Sequence, residues 1–244
     1  MTFIEGVGDS VGLIVAVFVA AAVLALLLTP FVRRVVTRYD IVDRPEARRV
    51  NVAPVPRAGG LAPAAAFLVV AATFVVLNDT QHWVPEPLTI SESELVALFL
   101  GGALAAAIGA IDDLFDLRAR WQLIGQLVLA GVAVVLGIGV EVIANPFGSG
   151  VIRFSPLFSV GFTVFWVVGM INSINWIDGL DGLSTGIALI AAVTLGIISL
   201  TTQIGQPMIA VLCFALAGAL AGFLRWNFHP ASIFAGTSGV QFVG

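Results

Sequence analysis

Three carboxylates within five residues, Asp112, Asp113 and Asp116, close an otherwise apolar run. On a helix, adjacent side chains point about 100° apart, whereas Asp112 and Asp116 share a face. Acids so close repel one another, and a divalent cation removes that repulsion. One or two carboxylates, with phosphate oxygens and water completing the shell, suit Mg²⁺. A solvated helix end balanced by Arg118 and Arg120 accounts for the same spacing.

A second polar series follows. Asn172, Asn175, Asp178 and Asp181 recur every three positions. Residues at i and i+3 lie roughly on one helical face. Gly179 and Gly182 let the backbone break and curl round a ligand. Amides and carboxylates together suit the hydroxyls, amides and base of a nucleotide sugar. A polar turn between two helices is the alternative.

Two further segments are weaker signals. In Asn227-Phe-His-Pro-Ala-Ser-Ile-Phe234-Ala-Gly236-Thr237-Ser-Gly, a glycine-rich stretch opening a helix can offer backbone N–H groups to an anion. His229 within it reads as an interface histidine. Arg44-Pro45, Arg48-Arg49 and Pro-Val-Pro-Arg57-Ala-Gly-Gly carry arginines that can fork a phosphate. The same arginines can simply hold a loop in place and bind anionic lipid heads.

The elements that position these residues are membrane helices. The 244 residues are 59% hydrophobic and 11% charged, with a mean hydropathy of +1.06. A soluble domain carries about 25% charged residues. The expected fold is all-α, a polytopic membrane bundle. Seven complete spans are expected at Val11–Val32, Leu61–Leu77, Leu95–Ile111, Leu123–Val140, Leu157–Ile171, Leu183–Thr201 and Pro207–Trp226. An eighth begins near Val240, so residues 1–244 read as a single transmembrane domain truncated at its C-terminus. The connection Glu141–Arg153 suggests a short external β-hairpin. The first apolar run is too long, and lacks the basic flank, for a cleaved signal. Cys213 lies alone in an apolar run and implies no disulfide.

Orientation follows from the basic residues, all of which are arginine. Ten of the eleven fall in the connections after spans one, three, five and seven, and only Arg153 falls on the other side. The positive-inside rule then puts the N-terminus outside and the acidic clusters at the cytoplasmic face.

Taken in order, the segments RPEARR with PVPRAGG, GAIDDLFDLRARWQLIGQ, NSINWIDGLDGLSTG and NFHPASIFAGTSG resemble the polyprenyl-phosphate N-acetylhexosamine-1-phosphate transferases, glycosyltransferases of the family 4 type. The Trp-Ile-Asp form and the RPxxR loop look closest to the bacterial undecaprenyl-phosphate GlcNAc-1-phosphate branch. The resemblance implies transfer of GlcNAc-1-phosphate from a UDP-N-acetylhexosamine to undecaprenyl phosphate, with release of UMP, at the start of a cell-envelope polysaccharide. Magnesium, or manganese in its place, is the implied cofactor. The implied partners are the two substrates and the plasma-membrane bilayer, with no nucleic acid; family members often form homodimers.

By the same resemblance, Asp112, Asp113, Asp178 and Asp181 are catalytic, with Asp112, Asp113 and Thr237 at the metal. Asn172, Asn175, Asn227, Phe234, Arg48, Arg57 and Gly236 bind substrate. The family usually has Asp where this chain has Thr237, and often His where it has Asn51. A later histidine-rich loop of the family lies beyond Gly244. Lower metal affinity and weak activity are therefore expected of these 244 residues alone. Competing classes are a transporter or flippase for an anionic lipid or solute, with its site near the midplane, and a degenerate family member that binds lipid-linked substrate or a partner enzyme without catalysis.

Overall fold

A computed structural model describes residues 3–45, 53–84, 90–201 and 204–244. Among these, eight helices and two short strand pairs follow one another along the chain.

Helix α1 (Phe3–Arg38) extends beyond both ends of its expected span and stops before the turn at left-handed Asp40. Pro30 lies inside it. Proline has no N–H, so the carbonyl of Leu26, four residues earlier, lacks its helical donor. The indole Nε1 of Trp226 supplies that donor across the bundle, at 3.2 Å.

Strands β1 (Val42–Asp43) and β2 (Val55–Pro56) pair antiparallel and lead into α2 (Leu61–Gln81). Helix α3 (Glu92–Phe115) opens on a capping box, in which Ser91 Oγ accepts from Glu94 N and the Glu94 side chain accepts from Ser91 N. It ends in left-handed Asp116. Helix α4 (Ala119–Val135) stops short of the expected Val140, where Gly137 takes a positive φ of 97°.

The expected hairpin is present as β3 (Val142–Ala144) and β4 (Val151–Arg153), in the register Val142 to Arg153. Helix α5 (Pro156–Ile177) runs six residues past its expected end at Ile171. The amide of Asn172 explains the extension: it donates back to Val168 O at 2.8 Å and across to Gln126 Oε1 of α4 at 2.7 Å. Its polar group is satisfied inside the bundle, so the helix need not end there. Helices α6 (Leu183–Ser199), α7 (Pro207–Asn227) and α8 (Gly236–Val243) complete the chain.

Among the described residues, five helices are long and apolar enough to cross a membrane: α1, α2, α3, α5 and α7. The apolar helices α4 and α6 have 17 residues each, about 25 Å at the helical rise against a hydrocarbon core of about 30 Å. The chain is a multi-pass membrane protein.

Helix α7 is the most enclosed element. Along its seam with α1, a Cβ built on Gly218 would lie 2.1 Å from Phe18 O, and one on Gly222 would lie 2.1 Å from Ala22 O. Facing them, Ala21 and Ala25 are fully buried. Lipid tails compete with apolar side chains, so close backbone approach through small residues supplies the packing. The α1–α7 pair forms the frame on which the arginine-bearing end of the bundle is built.

Candidate active site

The chemistry-bearing residues gather at helix ends, on the end of the bundle that carries most of the arginines. Helix α8 has no side-chain cap of its own at Ala235. Its leading N–H groups are instead satisfied from α3: Asp113 Oδ1 accepts from Thr237 N at 2.9 Å and Oδ2 from Ser238 N at 3.0 Å. The positive end of a helix favours a carboxylate there. Gly109, one turn earlier on α3, makes the approach sterically allowed, since a Cβ there would sit 2.4 Å from Ser238 Cα.

Asp112 also reaches α8. Its Oδ2 accepts from Thr237 Oγ1 at 2.6 Å, while Oδ1 accepts from Leu117 N and Gln122 Nε2. Both acids are buried.

The loop after β2 is stitched to the same place. Phe234 N donates to Pro56 O, Gly59 N to Phe234 O and Gly60 N to Ala235 O, at 2.8–2.9 Å. Segments 56–60 and 234–235 therefore run side by side, although most of the chain lies between them. Arg57 ion-pairs with Asp116 at 2.7 Å, tying this loop to the end of α3. Its Nε is buried with no hydrogen-bond partner.

The α5–α6 turn forms the third wall. Ser184 Oγ donates to Asp178 Oδ1. Asp181 Oδ2 accepts from Ala231 N and pairs with His229 Nδ1, both at 2.9 Å. Asn227 Oδ1 accepts from Thr185 Oγ1, and its Nδ2 donates to Ile233 O. Burial pushes the Asp178 carboxyl up to about 6; the bond from Ser184 opposes this and the nearby charge of Asp113 adds to it.

These walls enclose a cavity of about 410 Å³, inside the roughly 300–1,000 Å³ of small-molecule sites. Asp113, Asp178, Asp181, Asn175, Asn227, Arg57, Phe234, Gly236 and Thr237 all line it. Asp112 and Asn172 do not: Asp112 is turned to Leu117, Gln122 and Thr237, and Asn172 to α4. Arg48 and Asn51 lie outside the described residues. Asp43 also lines the cavity and was not anticipated. It lies on the two-residue strand β1, paired with β2, and so short a strand leaves no periodicity to read. The cavity lies among helix ends and loops rather than at mid-helix, which disfavours the transporter reading.

The residue 95–244 portion matches the family model for glycosyl transferase family 4. The chain belongs to glycosyl transferase family 4. This family 4 chain is 32% identical over 236 residues to a probable undecaprenyl-phosphate N-acetylglucosaminyl 1-phosphate transferase of Bacillus subtilis, covering 95% of this chain and 60% of the relative. It is 34% identical over 246 residues to a decaprenyl-phosphate N-acetylglucosaminephosphotransferase of Mycolicibacterium smegmatis, covering 98% and 59%. It is 28% identical over 246 residues to a phospho-N-acetylmuramoyl-pentapeptide-transferase of Clostridium perfringens, covering 95% and 71%. The chain thus spans about three-fifths of the length of the first two relatives.

The donor set bears on the metal the resemblance implies. Among the described residues, no three His, Cys, Asp or Glu side chains cluster as a metal site. Asp113 and Asp178 nonetheless face one cavity and repel each other. Two carboxylates fit a Mg²⁺ held largely by phosphate oxygens and water. They do not fit an ion held by protein alone.

Proposed function

We propose that this chain transfers N-acetylglucosamine-1-phosphate from UDP-N-acetylglucosamine to undecaprenyl phosphate, releasing UMP. The observation that carries the reading is the convergence of Asp113 from the end of α3, Asp178 and Asp181 from the α5–α6 turn, and Arg57 from the loop after β2 on one cavity. The names of the relatives from Bacillus subtilis and Mycolicibacterium smegmatis supply the reaction class.

An oxygen of the lipid phosphate attacks the β-phosphorus of the UDP-sugar; the bond from that phosphorus to the bridging oxygen breaks and UMP leaves. Mg²⁺, with Mn²⁺ as a substitute, would be held by Asp113 and Asp178 and would neutralise charge between the two anionic reactants. Arg57 is placed to donate to a phosphate oxygen. Phe234 offers a ring on which the uracil stacks, and Asn175 and Asp181 offer polar groups to the nucleoside and sugar. Thr237 contributes a neutral oxygen at the cavity wall. The arginine distribution supports a plasma-membrane protein with its N-terminus outside and this cavity facing the cytoplasm.

The test is UMP release from UDP-N-acetylglucosamine in the presence of undecaprenyl phosphate and Mg²⁺. Release that requires both lipid and metal, and that falls with Asp178→Asn, is expected. A chain that neither binds the UDP-sugar nor releases UMP would overturn the reading. The hydrogen bond from Thr237 to Asp112 favours a second reading, a member that holds the UDP-sugar without turnover. Thermal stabilisation by the UDP-sugar with no UMP would select it.

A further inference from the structure

Between α1 and the end of α7 lies a groove of about 560 Å³ lined by Pro30, Arg33, Arg34, Thr37, Arg38 and Trp226. None of these residues lines the active-site cavity. We propose that this groove binds the phosphodiester headgroup of an anionic phospholipid.

The groove is built by specific contacts. Trp226 stands against α1 because its indole N–H takes the Leu26 carbonyl that Pro30 leaves without a partner. Proline therefore serves twice, freeing the anchor point and forming part of the floor. Arg225, the residue before it on α7, lies over the indole at 5.8 Å and brings a further positive charge to this flank. Basic residues from two helices so meet beside an amphipathic ring, a residue type that favours the headgroup level of a bilayer.

Among the described residues, no carboxylate lies within ion-pair distance of Arg33, Arg34 or Arg38. Asp40, the acid just past the end of α1, is committed to Arg44 at 2.6 Å. Three guanidinium groups on adjacent turns, all exposed, offer forked donors to phosphate oxygens. The groove walls meanwhile present Pro30 and the indole to the glycerol and upper acyl carbons. A membrane supplies such an anion at high local concentration, and arginines close to an anionic surface draw it strongly.

The experiment uses the whole 244-residue chain in neutral detergent, with native mass spectrometry and thermal unfolding as readouts. The probes are phosphatidylglycerol, phosphatidylcholine and inorganic phosphate. Wild type is expected to retain phosphatidylglycerol over phosphatidylcholine and to be stabilised by it. Combined Arg33→Gln, Arg34→Gln and Arg38→Gln is expected to weaken that retention roughly a hundredfold. Arg118→Gln with Arg120→Gln, on the same end of the bundle but outside the groove, is expected to leave it unchanged.

Equal losses in the two variants would reduce the effect to general surface charge and overturn the proposal, as would no loss in the groove variant. Stabilisation by inorganic phosphate equal to that by the lipid would overturn the assignment to a lipid. Wild type alone supplies an independent arm through a photoreactive phosphatidylglycerol headgroup. Cross-links at residues 30–38 or Trp226 support the site, and cross-links confined elsewhere reject it.

Discussion

Asp113 commits both of its oxygens to backbone amides of α8, which makes it a structural clasp as well as a cavity wall. Asp113→Asn keeps the size but retains only one oxygen and sets an NH₂ against a backbone N–H. A buried donor left unmatched costs about 1–3 kcal/mol. A fall in thermal stability of that order, together with loss of UMP release, is the expected outcome. His229 touches Asp181 and does not line the cavity, so any effect on substrate is expected to pass through Asp181. His229→Ala should raise the KM for the UDP-sugar roughly two- to tenfold, the worth of one hydrogen bond, with little change in kcat. His229→Asn, whose amide N–H can replace the Nδ1 donor, should restore it; loss in both variants would instead indicate proton transfer by the imidazole.

The pH dependence at Asp178 has a definite sign. A carboxyl raised from 3.8 to about 6 is stabilising while neutral. Its contribution is complete below pH 3.8 and is lost as pH rises through about 6. The ligand-free protein should therefore lose thermal stability across that interval, and Asp178→Asn should flatten the slope. Mg²⁺ held between Asp113 and Asp178 should flatten it as well, whereas Mg²⁺ that leaves the wild-type slope unchanged would speak against that pairing.

Among the elements, the α3–α8 contact rests on Gly109. Gly109→Leu would drive a side chain into Ser238 and Thr237, and overpacking of this kind costs about 1–3 kcal/mol. Loss of UMP release with only a modest drop in melting temperature is expected, because the wedge displaces α8 while the α1–α7 seam is untouched.

Helix existence was legible from composition, because apolar runs of membrane length have few other uses. Boundaries were less so. Helix α5 ran on through Asn172 since its amide found Gln126 on α4, and a partner 46 positions away leaves no mark on the local pattern. The same holds for Asp43, which lines the cavity from a two-residue strand. Asn172 and Asp112 show the converse. Their spacing matched the residues that line the cavity, yet each faces a neighbouring helix or loop through hydrogen bonds that sequence spacing does not encode.

For the molecule as a whole, the arginine asymmetry gives an orientation that can be checked directly. With Cys213→Ser as background, a cysteine at Phe147, 95% exposed in the hairpin between β3 and β4, should react with an impermeant maleimide on intact cells. A cysteine at Arg120 should react only after permeabilisation. The reverse pattern would place the cavity on the outer face and remove the access to UDP-sugar on which the proposed reaction depends.

The clasp between α3 and α8 also sets an order of assembly. The oxygens of Asp113 wait for amides 124 and 125 positions downstream, so a ribosome delivers the acids long before their partners. Until α8 arrives, these carboxylates have neither their amide donors nor the opposite wall of the cavity. The site therefore forms only once α8 has joined α3, and a nascent chain that has inserted α1 to α7 is still unable to grip a substrate.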